Sequence, residues 1–173
     1  MNSAPADNAR LAASRWGRQE VAARCAAILH GTEDAELTVV IGGLHGRAVE
    51  AGTTKEGDWP RVWAARALLY VWDEPAAPAV VAALGDPQWR VREMAAKVAA
   101  RRELGEAAET LAGLLADPVP RVRAAACRAL AVTGESEHAP GLHALLSDPD
   151  PDVRTRAEQA LGTLEHRLDR ADL

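Results

Sequence analysis

Apolar residues recur at helical spacing through most of the chain. Val122, Ala126, Ala129 and Leu130 fall on one side of a 3.6-residue helix. Gly134 and Ser136 break that pattern. A shorter helix is predicted near residues 138–146, with Leu142, Leu145 and Leu146 facing inward. Asp148-Pro149 ends it, because proline cannot continue a helix interior, and Asp150 or Asp152 can cap the helix that follows. One long and one short helix thus make a unit.

The unit repeats. Asp86-Pro87, Asp117-Pro118 and Asp148-Pro149 are spaced by 31 residues, as are Val91, Val122 and Val153. Arg92, Arg123 and Arg154 keep the same spacing, and so do Ala95, Ala126 and Ala157. In the short helices, Val80, Leu111 and Leu142 correspond, as do Leu84, Leu115 and Leu146. A degenerate earlier copy lies in WPRVWAARALLYV, matching at Pro60, Arg61, Ala64, Ala67 and Leu68 without the Asp-Pro. Residues 15–45 read as one more pair, RQEVAARCAAIL then AELTVVIGGL. Alanine at the packing positions lets helices approach closely but buries little apolar area. Neighbouring units must therefore stabilise one another. The pattern predicts an all-α protein, a right-handed α-α superhelix (solenoid) of about four to five helical pairs. A single domain is expected over 15–168, with a flexible N-terminus at 1–14, an irregular insertion at 46–58 and a tail at 169–173.

Composition narrows the class further. The chain has no Phe, one Tyr and five Trp, and little of the β-branched and aromatic content that sandwiches and barrels need. With 48% hydrophobic residues, disorder is excluded as well. A net charge of -5 disfavours nucleic acid as a partner. No apolar run is long enough to span a membrane, and no signal-peptide pattern opens the chain, so a cytoplasmic protein is expected. Cys25 and Cys127 have no second cysteine or histidine at ligand spacing and read as free, buried thiols.

The motif of Asp-Pro, three variable residues, Val-Arg and an Ala-rich helix resembles the HEAT-repeat family. Residues 86–168 match well and 60–84 in part. The repeats look like the short HEAT-like units of phycobilin lyases. The phrase WPRVWAARALLYVWDE is similar to small actinobacterial-type HEAT-repeat proteins of unassigned function. The resemblance implies a structural ladder, with Asp86, Asp117 and Asp148 on one side and Arg92, Arg123 and Arg154 on the other. A carboxylate in a turn can accept backbone N–H groups while an arginine bridges to the next unit.

Four of the five tryptophans crowd into residues 59–89. Trp59, Trp63, Arg66, Tyr70, Trp89 and Arg90 are the candidate binding residues, since tryptophan and arginine commonly anchor interfaces. The later repeats drift polar at the positions of Trp59 and Trp63, which suggests a helix edge. The same rings can instead fill space beside the 46–58 insertion. No catalytic motif, metal-ligand spacing or phosphate loop is present, so no catalytic residue, metal or cofactor is expected. The sequence leads to a non-catalytic binding or scaffold protein that engages a protein partner through the Trp/Arg surface around its second repeat. The alternative is a small enzyme or a nucleic-acid-binding repair protein, of the HEAT-like DNA glycosylase type.

Overall fold

A computed structural model describes residues 4–53 and 57–169. Ten α-helices and no strand occur among the described residues. The fold is all-α, of the helical-pair solenoid class, with about five pairs. No described helix is long and apolar enough to cross a membrane.

The chain divides into two compact units, Met1–Ala83 and Leu84–Leu173. The first holds α1 (Pro5–Trp16), α2 (Arg18–Leu29), α3 (Ala35–Glu50), α4 (Trp59–Leu68) and α5 (Ala77–Ala83). The second holds α6 (Trp89–Arg102), α7 (Ala108–Gly113), α8 (Pro120–Thr133), α9 (Ala139–Ala144) and α10 (Pro151–Leu168).

In the second unit, α8 packs against both α6 and α10. It does so through small residues: Val122, Ala126, Cys127, Ala129 and Leu130 are all fully buried. The short helices are bracketed by 3-10 turns, Gly105–Ala107 and Leu114–Ala116 around α7, Ser136–His138 and Leu145–Ser147 around α9. The matching turns lie 31 residues apart, so the sequence repeat is also a backbone repeat. Of the three leucines expected to face inward, Leu142 is buried, but Leu146 is 40% exposed, although Leu115 at the same position of the matching 3-10 turn one repeat earlier is buried.

The Asp and Arg of the repeat join successive units. Arg92 grips the Asp117 carboxylate through two bonds, of 2.7 and 3.1 Å. Arg123 grips Asp148 in the same way, both bonds at 2.8 Å. The same arginines donate to the carbonyls of their own Asp-Pro turns, Arg92 to Asp86 and Arg123 to Asp117. Each carboxylate also accepts a backbone N–H two residues on, from Gln88, Val119 and Asp150. Arg123 therefore holds the Asp148 carboxyl below the usual carboxylate range, against the opposing effect of burial. Arg154 in turn donates to the carbonyls of Asp148 and Pro149. Asp150, not Asp152, caps α10 by accepting from the N–H groups of Asp152 and Val153.

In the first unit, α2 packs on α4 and α1 on α3. The flexible N-terminus expected at 1–14 is instead largely α1, because Ala9 and Ala12 bury one face. Within the expected insertion at 46–58, α3 continues to Glu50 and turn residues follow; 54–56 lie outside the described residues, as do 1–3 and 170–173. Helix α3 is kinked at Gly43, whose φ of 60° suits glycine. Buried Asn8 sits where a side chain on Gly43 would go. Both cysteines are free and buried, and burial pushes each thiol up to about 12.

Candidate metal centre

The residues singled out for binding fall in both units. Trp63 is 2% exposed and packs in the core of the first unit, not at a helix edge. Gly42 makes room for it, since a Cβ there would stand 2.7 Å from the indole ring. Trp59 stacks on Trp63 at 6.2 Å, and His45 lies 5.1 Å from each ring. Arg66 is half-buried, and desolvation lowers its pKa. Tyr70 is 38% exposed. In the second unit, Trp89 is half-buried under the guanidinium of Arg90 at 4.4 Å, with Arg121 at 5.6 Å.

A different group forms where two successive short-helix segments of the second unit meet. Glu109 stands on the first turn of α7; Glu137 and His138 stand on the 3-10 turn before α9. That turn opens with a reciprocal cap. The Glu135 carboxylate accepts from the His138 backbone N–H, and His138 Nδ1 lies 2.9 Å from the Glu135 backbone N–H. Nδ1 is also 3.2 Å from the Glu135 carbonyl oxygen. The turn clamps the imidazole in place, with only 5% of the side chain exposed. Its Nε2 is buried, has no hydrogen-bond partner and lies 3.5 Å from a Glu109 carboxylate oxygen. One ligand atom from each of Glu109, Glu137 and His138 lies within 4.8 Å of the other two.

The donor set fits a divalent cation. Two carboxylate oxygens and one imidazole nitrogen suit manganese, iron or zinc, and three protein ligands leave positions open. A neutral imidazole gives Nε2 to a metal only with its proton on Nδ1, which here lies 3.2 Å from the Glu135 carbonyl oxygen and 2.9 Å from the Glu135 N–H. Both glutamates are exposed, so solvent and not packing sets their rotamers and they can turn toward an ion. The three residues border a pocket of about 530 Å³ whose other walls are Ala112, Leu115, Ala116, Gly141, Ala144 and Leu145.

Sequence spacing missed this group because its members come from separate repeats and match no local motif. The repeat itself carries the signal. Stepping back by 31 from His138 reaches Ala107 and then Ala76, both buried small residues. Stepping forward by the same interval from Glu109 reaches Pro140. At the junction of the last two short helices the repeat therefore carries a histidine where the earlier copies place alanine, while Glu137 keeps the carboxylate of Glu106.

The profile of the family described as HEAT repeats matches residues 50–131 and 107–172. No curated protein matches the chain. Among solved structures, human deoxyhypusine hydroxylase in complex with glycerol is 29% identical, with a TM-score of 0.54 over 70% of this chain. The match covers 43% of that chain, so this protein spans less than half of it. An engineered protein is 21% identical with a TM-score of 0.50, covering 87% of this chain and 72% of its own, and shows the fold alone. The likeness to a hydroxylase and the metal-competent cluster at Glu109, Glu137 and His138 correct two expectations. They overturn both the non-catalytic binding or scaffold reading and the preference against an enzyme that the sequence left open, and they favour the small-enzyme alternative. The family matches are carried by the repeat that the Asp-Pro and Val-Arg positions define, and they establish that the chain belongs to the HEAT-repeat family.

Proposed function

We propose that this chain is a small metal-dependent enzyme, with Glu109, Glu137 and His138 as the metal ligands. The observation that carries the reading is the buried, unpartnered Nε2 of His138, facing two carboxylates at the edge of an apolar pocket. A buried imidazole nitrogen without a hydrogen-bond partner is costly, and a cation would remove that cost once the ring proton sits on Nδ1. A bound divalent ion would act as a Lewis acid, polarising an oxygen of the substrate.

The protein supplies the rest. The Glu135 cap fixes the imidazole plane with Nε2 toward the carboxylates, and an ion would take the place of the Nε2 proton. The exposed glutamates would neutralise the charge of a divalent ion. The alanine and leucine walls give the site one apolar side. Hydroxylation is the reaction class suggested by the 29% identical hydroxylase. A cytoplasmic location accords with two free, buried thiols. The short-repeat subtype of the family rests on the Asp-Pro and Val-Arg motif.

The test is calorimetric titration of metal-free protein with Mn²⁺, Fe²⁺ and Zn²⁺. Wild type is expected to bind one ion per chain. His138→Ala places at this position the residue that Ala107 and Ala76 supply in the other repeats, so the variant should fold. It is expected to lose at least tenfold in affinity, and Glu109→Gln should do likewise. Equal binding by wild type and both variants would refute the assignment.

A further inference from the structure

We infer that the pocket beside the triad accepts a short aliphatic small molecule with one oxygen-donor head group, uncharged or singly charged, and rejects phosphorylated substrates. The inference rests on the metal reading above and extends it to the substrate.

Charge argues first. An ion of charge +2 held by two carboxylates leaves the site near neutral. No lysine or arginine lines the pocket. A phosphoryl group would therefore find one metal and no cationic clamp, whereas phosphate sites normally add arginine, lysine or a cluster of backbone N–H groups. A single oxygen donor needs only the open positions on the metal.

Wall chemistry argues second. Away from the triad, every lining side chain is alanine, leucine or glycine, and His138 is the sole aromatic one. Such walls reward aliphatic surface and give no ring for stacking. Small residues create the space. Gly141 stands where Thr110 and Ala79 occur in the earlier repeats, and a Cβ on it would come within 2.9 Å of Leu115 Cδ1. Its volume of about 530 Å³ lies within the usual range for small-molecule sites and far below what a polymer needs.

The probe is a series of linear alkyl hydroxamates, from acetohydroxamate to octanohydroxamate, titrated into Mn²⁺-loaded protein. Affinity is expected to rise about fourfold per added methylene over the first few carbons and then level off. Ala144→Phe fills the pocket from an exposed position and should abolish the chain-length gain. Gly141→Ala, which presses on the flexible end of Leu115, should shorten the chain at which affinity levels off. Mn²⁺ uptake and circular dichroism report whether each variant is folded and loaded. Affinity that does not change with chain length, or stronger binding of pyrophosphate than of octanohydroxamate, would overturn the substrate inference and leave the metal assignment standing. Failure of wild type to take up Mn²⁺ would overturn both.

Discussion

At the scale of single residues, the ladder and the triad show opposite uses of a buried polar group. Asp148 is 7% exposed and fully engaged, by Arg123 and by the Asp150 backbone. Removing one member of a buried pair leaves the other charge uncompensated, so Asp148→Ala should cost roughly 3 kcal/mol in denaturant unfolding. The sign of the pH effect follows from the lowered pKa of Asp148. A depressed carboxyl contributes stability that is complete above its unfolded pKa and is lost as pH falls through its folded value. Unfolding midpoints of wild type should therefore drop on acidification below about pH 4, and those of Asp148→Asn should drop less steeply. His138 differs in that its Nε2 is buried without a partner. Nδ1 lies closer to the Glu135 N–H than to the Glu135 carbonyl, so the metal-free ring carries its proton on Nε2. Metal binding should move that proton to Nδ1, which ¹⁵N imidazole shifts report directly; shifts unchanged by a saturating diamagnetic ion such as Zn²⁺ would contradict the ligand assignment.

At the scale of elements, legibility followed the repeat. The long helices of the second unit begin within a few residues of each Asp-Pro, as proline and the alanine periodicity require. The short helices were visible through Leu111 and Leu142, but not their 3-10 turns, which leave no mark on apolar spacing. Outside the regular copies the sequence misled. The glycine and threonine content of 46–58 suggested a loop after a helical start at Arg47; α3 runs on to Glu50 beyond its kink at Gly43, and turn residues follow. Trp63 aligned with Arg156 of the last repeat and read as an edge residue; Gly42 supplies a hollow that repeat alignment cannot show. Gly42→Ala should drive a methyl into the indole and cost roughly 1–3 kcal/mol, measured by thermal unfolding with a matching change in tryptophan fluorescence. The triad was legible only as a departure, a histidine where the other copies place alanine. Local motifs cannot reveal ligands that come from two repeats.

At the scale of the whole molecule, the repeat explains how a chain with no Phe and one Tyr builds a core. Each helix leans on its neighbours through small residues, and Asp-Arg pairs lock successive units in register. The same architecture leaves a gap where the α7 and α9 segments meet across small side chains. Here that gap is bordered by the two carboxylates and the imidazole, and a repeat built for packing acquires a site. The most direct measurement is anomalous diffraction from crystals soaked in Mn²⁺. The account predicts a manganese peak bonded to His138 Nε2 and to carboxylate oxygens of Glu109 and Glu137, at about 2.0–2.3 Å. No peak there, at a concentration that saturates the protein in solution, or a peak on other residues alone, would contradict it.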